Sequence, residues 1–234
     1  ENMKEIVANI TNMSKSFPTG EGDFWALKNI NLSFERGEFS GFVGPSGSGK
    51  TTLLNILGSL DTPSKGEVEV LGNQIHKINQ LQAARLRSRH IGFIFQTYNL
   101  LPVYNVYENV EFPLLLMKMD ANKRDKMVKE AIEWVGLSDK VKSRPNQLSG
   151  GQCQRVAIAR AMVKKPDLVL ADEPTANLDT ENSLNILDTM FKLNRELSTT
   201  FIFSTHDPKV IDYLKRVIRL RDGEVASDDP APGI

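Results

Sequence analysis

The sequence predicts an α/β fold with a mostly parallel sheet, and three observations support that class. Short apolar segments alternate with helical segments from residue 164 onward, which is typical of parallel strands joined by helical crossovers. The segment Leu168–Ala171 is continuously apolar, as expected for a strand covered on both faces. The glycine-rich segment Gly44–Thr51, GPSGSGKT, joins a predicted strand to a predicted helix.

The first third of the chain is predicted to be mainly strands. The segments IVANI and LKNINLSF alternate apolar and polar residues, which suits half-buried strands and predicts an antiparallel N-terminal β subdomain. The other predicted elements are the strand GEFSGFVG, the helix Lys50–Leu60, the strand GEVEVLG, the helix Asn79–Arg89 and the buried strand IGFIFQ.

The character of the chain changes after Gln96. Residues 98–116 are rich in apolar and aromatic side chains and include two prolines. A charged amphipathic helix is predicted over Ala121–Val135, because Gly136 follows as a helix stop, and another over Gln152–Lys164. We therefore predict an inserted helical subdomain over residues 97–163.

Strands and helices alternate again in the last third. After the apolar strand come the helix Glu181–Leu197, the strand TTFIFST, the short helix Pro208–Leu214 and the strand and turn RVIRLRDGEV. The tail, residues 226–234, is polar and proline-rich, so we expect it to be frayed. A single domain over residues 1–234 is predicted, with a catalytic core and β subdomain formed by residues 1–96 and 164–225.

Composition excludes several classes of protein. The chain has 234 residues, of which 40% are hydrophobic and 25% charged, with a formal net charge of zero. Because nucleic-acid binders usually carry a basic excess, no nucleic-acid partner is expected. A single cysteine cannot form an internal disulfide, which is compatible with a reducing compartment.

No membrane-spanning or secretion segment is expected. The most apolar runs, Phe112–Met117 and Leu168–Ala171, are much shorter than the ~20 residues that a spanning helix needs. The segment ENMKEIVANI lacks the basic and apolar regions of a signal peptide. Any role at a membrane should therefore depend on a partner.

The segment Gly44–Thr51, here called the phosphate loop, fits the pattern G-x-x-x-x-G-K-[ST] in full. Its glycines allow the backbone to wrap a β-phosphate, Lys50 reaches the β- and γ-phosphates, and Thr51 offers a hydroxyl to Mg²⁺. The alternative is a chance glycine turn, which the strand–loop–helix context disfavours. The nucleotide contacts predicted here are Gly44, Ser46, Gly47, Ser48, Gly49, Lys50, Thr51 and Thr52.

Two acidic residues follow the apolar strand LVLADE. Asp172 stands at the carboxyl end of this strand, where open α/β sheets bind ligands, and is predicted to hold Mg²⁺. Glu173 is predicted to orient or deprotonate the attacking water. The alternative is an acidic pair that only caps a loop; the presence of a phosphate loop favours the catalytic interpretation.

A second turn of phosphate-binding character lies far from the first. Residues 148–156, LSGGQCQRV, place two glycines before a predicted helix, which would direct free N–H groups at a phosphate. This turn has no adjacent lysine. Alone it would be a weak site, unless another element held the nucleotide.

The motifs GPSGSGKT, LSGGQ, LVLADEP, NLD and STHD, together with Gln96, occur in the order found in ATPase subunits of ABC transporters. The resemblance covers nearly the whole chain, and LSGGQ is the discriminating motif. The segments GSLDTPSKGEV, IGFIFQTYNLLP, ENVEFPLL and QRVAIARA further resemble the ATPases of lipoprotein-release and macrolide-export systems.

The resemblance implies roles that the residues alone leave open. Gln96 is similar to the family's loop glutamine, which approaches Mg²⁺ and the attacking water; otherwise it would be a solvated amide. His206 resembles the histidine that contacts the γ-phosphate, although a lone histidine is more often structural. Asp179 resembles an aspartate that touches the opposing subunit, and it is also a natural N-cap for the following helix.

Phe17 occupies the place of the family's adenine-stacking aromatic residue, often tyrosine. Stacking requires only a π face, so phenylalanine can serve. Phe24 and Trp25 are rival candidates, and a hydrophobic plug at a strand end is the structural alternative. Weak base recognition would imply tolerance of GTP.

The resemblance also supplies a partner for LSGGQ. In the family, two subunits pack head to tail, and each ATP lies between one phosphate loop and the other subunit's Ser149, Gly150, Gly151 and Gln152, here called the signature turn. The resemblance implies an ATPase that depends on ATP and Mg²⁺, dimerises with a second copy and drives a transmembrane permease. It also implies that this subunit lies at the cytoplasmic face of the membrane, bound through the permease. The implied transport is export or extraction of lipoprotein, peptide or hydrophobic drug-like cargo.

Two other classes of protein are alternatives. A soluble ABC-type ATPase of DNA repair or translation usually has coiled-coil insertions or two fused cassettes, and neither is seen. A stand-alone P-loop kinase or GTPase is disfavoured by LSGGQ and by the lack of N-K-x-D.

Two features of the sequence each allow two interpretations. Tyr98–Tyr104, YNLLPVY, is either part of a permease groove or part of the core. Cys153 stands where relatives commonly have a polar residue; a buried, inert thiol is favoured over a reactive one.

Overall fold

The computed structural model describes residues 5–20 and 22–230, and it confirms the α/β class. The strands are β1 (Ile6–Thr19), β2 (Gly22–Glu35), β3 (Phe39–Val43), β4 (Lys65–Val70), β5 (Asn73–Gln74), β6 (Ile91–Phe95), β7 (Leu168–Asp172), β8 (Thr200–Thr205), β9 (Arg216–Arg221) and β10 (Glu224–Pro230). They form two sheets, with the orders β2-β1-β4-β5 and β10-β9-β3-β8-β7-β6.

The first sheet is antiparallel, as predicted for the N-terminal subdomain. Alternation decides its faces: in β1, Ala8 and Ile10 are buried while Asn9 between them is exposed. The buried side chains pack into a core shared with one face of the second sheet. The first sheet therefore covers that face and helps to close the fold.

The second sheet is mostly parallel. Strand β3 pairs in parallel with β8 and β9, and β7 pairs in parallel with β6 and β8, whereas β10 runs antiparallel to β9. All residues of β3 and β8 are buried, which explains why these segments lack polar alternation. The parallel strands deliver their carboxyl ends to a common edge.

The prediction that the tail is frayed is wrong for residues 226–230. Residues 224–230 form β10, which pairs along β9, and Arg216 donates from Nε and Nη2 to the two carboxylate oxygens of Asp228, both at 2.7 Å. Polar composition misled the prediction because the tail is ordered as the second strand of a hairpin, which β9 and β10 form around a two-residue turn at Asp222 and Gly223. Residues 231–234 lie outside the described part of the chain.

Seven α-helices occur in the described residues: α1 (Lys50–Leu57), α2 (Gln80–His90), α3 (Val106–Leu116), α4 (Ala121–Trp134), α5 (Gly150–Met162), α6 (Thr180–Leu197) and α7 (Pro208–Tyr213). The predicted helices are present with shifted ends. Helix α1 stops before Leu60, since Gly58 caps it and Ser59 takes a left-handed φ of 52°. Helix α5 begins earlier than predicted because Ser149 is its N-cap.

Helices α3, α4 and α5 lie within residues 97–163, and their apolar side chains share one core with the second face of the parallel sheet. The division into a catalytic core and a helical subdomain stays a prediction. No helix in the described part of the chain combines the length and apolarity needed to cross a membrane.

Candidate functional site

A cleft of about 600 Å³ opens where the parallel strands end. The phosphate loop follows β3, Gln96 follows β6, Asp172 ends β7, and His206 follows β8. Open α/β sheets bind ligands at this edge. The lining residues are Phe17, Phe24, Ala26, Pro45, Ser46, Gly47, Gly49, Lys50, Thr51, Thr52, Gln96, Asp172, Glu173, Ser204 and His206.

The phosphate loop has a backbone that only glycine adopts readily. Gly47 and Gly49 have φ values of 78° and 100°, in the left-handed region that disfavours a Cβ. Gly44 is needed for space: a Cβ there would lie 2.2 Å from the carbonyl oxygen of Leu220 on β9. Sheet and loop are therefore packed together with no room for a side chain at Gly44.

Helix α1 leaves its N-terminus free. Among the seven helices of the described residues, α1 alone has no side chain that caps its first turn. Its N–H groups lack intrahelical partners, so this end of the helix is suited to an anion. Ser48 also has a buried hydroxyl with no hydrogen-bond partner among the described residues.

Lys50 supplies the positive charge of the loop. Its side chain is buried, and Nζ donates to the carbonyl oxygens of Gly44 at 2.7 Å and Pro45 at 2.9 Å. No carboxylate of the described residues forms an ion pair with it. The ammonium is thus positioned inside the loop without a competing anion.

Three side chains whose oxygen atoms could bind a metal ion, those of Thr51, Gln96 and Asp172, line the cleft. The Thr51 hydroxyl donates to Asp172 at 3.2 Å, and Gln96 lines the same cleft. The Gln96 amide nitrogen donates to Asn177 at 3.4 Å, while its amide oxygen has no partner among the described residues. Hydroxyl, carboxylate and amide oxygens are ligands that Mg²⁺ accepts, so these side chains fit that ion.

Glu173 is held in an unusual backbone conformation. Its φ is 46°, and its N–H donates to the carbonyl of Ser204 at 2.9 Å. Left-handed backbone at a non-glycine residue is strained and is common at functional sites. Its carboxylate lies 2.5 Å from Nδ1 of His206 and accepts from the Thr205 hydroxyl at 3.3 Å. The carboxylate is thereby oriented by both partners.

The strands that carry the three aromatic candidates decide which of them face the cleft. Phe17 and Phe24 are register partners on β1 and β2, and both line the cleft. Trp25, the next residue, does not line it and instead lies under Lys65, whose Nζ is 4.8 Å from the ring centroid. Because adjacent residues of a strand face opposite sides, Trp25 faces away from the cleft that Phe17 and Phe24 line, and the identity of the stacking residue stays a prediction.

The signature turn lies away from the cleft. None of Ser149, Gly150, Gly151 and Gln152 lines it. Ser149 and Gln152 form a capping box: the Ser149 hydroxyl accepts from the Gln152 N–H at 3.2 Å, and the Gln152 side chain accepts from the Ser149 N–H at 2.9 Å. As an acceptor in this bond, the Ser149 hydroxyl keeps its own proton for donation.

The turn is coupled to Asp179 through Asn182, a residue that sequence reasoning missed. Asp179 caps α6 by accepting from the Asn182 N–H at 2.8 Å, and the Asn182 amide donates to Asp179 at 2.7 Å. A Cβ at Gly151 would lie 2.4 Å from the Asn182 amide oxygen. The cap role of Asp179 is therefore present, and it places that residue beside the signature turn.

Gln154 is a second missed residue. It is fully buried on α5, and its amide nitrogen donates to the carbonyl of Pro174 at 2.5 Å and of Phe95 at 3.4 Å. These carbonyls flank Glu173 and Gln96 in sequence. A polar residue within an otherwise apolar helix face was the available signal.

Cys153 is buried, with 8% of its surface exposed, and burial raises the pKa of its thiol. Its Sγ lies 3.6 Å from the carbonyl oxygen of Pro145. A raised pKa disfavours the reactive thiolate. The predicted burial of the thiol is confirmed, and its lack of reactivity stays a prediction.

The segment 98–104 is divided between core and surface. Leu100 packs against the core, Leu101 and Tyr104 are half-buried, and Val103 is 69% exposed. Asn109, another missed residue, holds the loop: its amide nitrogen donates to Leu101 and Tyr104 carbonyls, both at 3.1 Å. The segment therefore belongs in part to the core, and its role in a permease groove stays a prediction.

Comparison with known proteins agrees with this geometry. A family model described as ABC transporter matches residues 27–176. The lipoprotein-releasing system ATP-binding protein LolD of Pseudoalteromonas translucida is 41% identical over 95% of this chain and 96% of its own length. The macrolide export ATP-binding/permease protein MacB of Campylobacter jejuni is 46% identical over 88% of this chain, which spans 32% of MacB.

A solved structure is similar over the same length. The dimer of the ATP-binding cassette MJ0796, in a post-hydrolysis state bound to ADP and Pi, has a TM-score of 0.88 and is 40% identical. The match covers 97% of this chain and 100% of that one. The similarity thus includes the cleft and the signature turn.

Proposed function

This chain belongs to the ABC transporter ATP-binding family, and we propose that its cleft binds ATP together with the signature turn of a second copy. The observation that carries this proposal is the separation of the two phosphate-binding elements. The cleft holds the phosphate loop, whereas the signature turn lies outside it. A head-to-tail dimer would bring each turn to the other chain's cleft.

ATP binding follows from the loop geometry. The free N–H groups of α1 and the glycine-rich backbone receive the β-phosphate, and the Lys50 ammonium neutralises the β- and γ-phosphates. Phe17 or Phe24 stacks on the base. Thr51, Gln96 and Asp172 would hold Mg²⁺, which when bound neutralises charge on the phosphate oxygens.

Hydrolysis requires a base and a positioned water. Glu173 accepts a proton from the water whose oxygen attacks the γ-phosphorus, while the bond to the β-phosphate oxygen breaks. His206 and Thr205 orient the Glu173 carboxylate through the contacts described above. The Ser149 hydroxyl of the opposing chain donates a hydrogen bond to the γ-phosphate. Asp179 of that chain lies beside its signature turn.

The chain is an ATP-hydrolysing subunit that works with a membrane permease. We propose export or extraction of lipoprotein, peptide or hydrophobic drug-like cargo, supported by similarity to LolD and MacB. We also place the subunit on the cytoplasmic face of the membrane, bound through that permease. The similarity favours this role over a soluble ATPase of DNA repair or translation.

The decisive experiment uses Glu173→Gln. Loss of the base should slow turnover by about 10²–10⁴-fold, and ATP with Mg²⁺ should then trap a dimer on gel filtration. Glu133→Gln is the matched control, because Glu133 is exposed on α4 and does not line the cleft. It should turn over normally and show no trapped dimer.

Two outcomes would contradict the proposal. Normal turnover by Glu173→Gln would exclude Glu173 as the base. A monomer in ATP and Mg²⁺, despite demonstrated nucleotide binding, would refute the shared site.

A further inference from the structure

Lys15, on β1, is a buried cation close to the nucleotide cleft. It is 9% exposed, and Lys15 and Lys50 are the only buried lysines in the part of the chain that the structure describes. Lys50 belongs to the phosphate loop, whereas Lys15 does not line the cleft and has no part in the chemistry proposed above. Because a buried ammonium is unfavourable unless it is paired, the partners of Lys15 define its role.

Two oxygen atoms of the loop between α1 and β4 hold the Lys15 ammonium. Nζ donates to Oδ1 of Asp61 at 2.6 Å and to the carbonyl oxygen of Thr62 at 2.9 Å. That loop is itself joined to α1, because the N–H groups of Leu60 and Asp61 donate to the carbonyl oxygen of Asn55 at 2.8 and 3.3 Å. Helix α1 begins within the phosphate loop, so Lys15 connects β1 to the unit that carries this loop.

The same ammonium lies over the ring of Phe17. Lys15 precedes Phe17 by two residues on β1, so both side chains lie on the same side of the strand. Nζ is 5.0 Å from the ring centroid, within the range of a cation–π interaction. Phe17 lines the nucleotide cleft and Lys15 does not. The cation covers one face of the ring, and the other face stays available to the cleft.

Phe24, the other phenylalanine of the cleft, has no such support. It is 57% exposed, compared with 39% for Phe17. Within the described residues, Phe24 forms no cation–π contact and no aromatic ring pair. A ring that is held in place before binding loses less conformational freedom when a base stacks on it. This difference favours Phe17 over Phe24 as a platform for the base.

We infer that Lys15 is a positioning residue that fixes the Phe17 ring as the platform on which the adenine of ATP stacks. Its bonds to Asp61 and Thr62 hold this ring relative to the phosphate loop, because both are joined to α1. The base and the phosphates of one nucleotide would thereby be received by a single connected unit. The inference rests on the proposed binding of ATP in the cleft.

Lys15→Met tests this role, because methionine keeps a flexible, unbranched side chain and removes the charge. Loss of a cation–π contact changes an equilibrium constant by roughly 2- to 30-fold. The dissociation constant of a non-hydrolysable ATP analogue, labelled on the ribose so that its base is unmodified, should rise about fivefold in fluorescence anisotropy. In steady-state turnover, KM for ATP should rise while kcat stays within about twofold of wild type, as expected when uniform binding is lost.

A double-mutant cycle separates action through Phe17 from a general effect on the fold. Phe17→Leu removes the ring and should weaken binding of the analogue about tenfold, as expected for loss of base stacking. Adding Lys15→Met to Phe17→Leu should cause less than about a twofold further loss, because the ring through which the cation acts is absent. A lysine that only stabilised the fold would weaken binding equally in both backgrounds.

Two further variants serve as controls. In Lys65→Met a cation–π contact of the same kind is lost outside the cleft, since Nζ of Lys65 is 4.8 Å from the ring centroid of Trp25. Affinity for the analogue should be unchanged in this variant. Phe24→Leu changes the unsupported phenylalanine and should weaken binding less than Phe17→Leu does. The comparison of the two phenylalanines keeps the inference testable if Lys15→Met fails to fold.

Three results would overturn the inference. They are an unchanged affinity in folded Lys15→Met, a fivefold further loss when Lys15→Met is added to Phe17→Leu, and a greater loss in Phe24→Leu than in Phe17→Leu. Failure of the proposed function gives a different result, because wild type itself would then not bind the analogue. In that case the proposed function fails and the inference fails with it.

Discussion

Replacing Gly44 by alanine tests how tightly the phosphate loop is packed against the sheet. The added Cβ would lie 2.2 Å from the carbonyl oxygen of Leu220 and 2.8 Å from the Ser48 hydroxyl. The first contact is with the backbone of β9, which is held between β3 and β10. Loop or strand must therefore move by about 1 Å to restore ordinary van der Waals separation.

Overpacking of this kind costs about 1–3 kcal/mol. In a domain of this size each kcal/mol lowers Tm by about 2–4 °C, so Gly44→Ala should lower Tm by roughly 2–12 °C. Displacement of the loop should also weaken ATP binding. Both effects are measurable, by differential scanning calorimetry and by titration with a fluorescent ATP analogue.

Gly20→Ala is the matched control, because a Cβ at Gly20 meets no atom within 4 Å. It should leave Tm and ATP affinity unchanged. If Gly44→Ala also melts within about 1 °C of wild type and binds ATP normally, the argument from close packing is refuted.

Three further predictions follow from the same structure. Lys50→Ala should abolish measurable ATP binding while leaving the fold intact, as checked by nucleotide titration and circular dichroism. Asn109→Ala removes the side chain that bonds Leu101 and Tyr104, and should reduce the free energy of unfolding in urea by about 2–4 kcal/mol; exposed Asn122→Ala should not. Burial lowers the folded-state pKa of Lys164 to about 8. Between pH 8 and the ordinary pKa of lysine, the unfolded chain therefore binds more protons than the folded chain. The contribution of Lys164 to the free energy of unfolding should rise with pH over this range. Lys164→Met should lack this contribution when urea unfolding of both proteins is compared across that range.

The cleft was predictable because its residues follow strands in the sequence. An apolar strand that ends in a carboxylate indicates a position at one edge of a parallel sheet, and Asp172 lies there. Gln96 and His206 could be placed by the same reasoning, although their roles came only from the family resemblance. Whether these side chains perform the proposed chemistry stays a prediction.

The contacts around the signature turn were not predictable in this way. The packing of Asn182 on Gly151 joins residues from two helices, and nothing local to either residue announces it. The start of α5 was within reach, because Ser149 and Gln152 have the spacing of a capping box. The two glycines between Ser149 and Gln152 are poor helix formers, and a later start of the helix was therefore predicted.

The polar tail was mispredicted because only its composition was considered. Its composition favours a free end, yet residues 224–230 are ordered by β9 and by Arg216. Local composition describes what a segment prefers when isolated. The pairing with β9 was nevertheless within reach, because Asp222-Gly223 between the two strands has the sequence and the positive φ values of a two-residue hairpin turn.

The position of the signature turn outside its own chain's cleft has a genetic consequence. In the proposed dimer, a chain with Lys50→Ala spoils its own nucleotide site, whereas a chain altered at Ser149 spoils only its neighbour's. When the two defective alleles are expressed together, mixed dimers contain one site assembled from the intact Lys50 of one chain and the intact Ser149 of the other. Two inactive alleles should therefore complement each other, which would not occur if each chain carried a complete site.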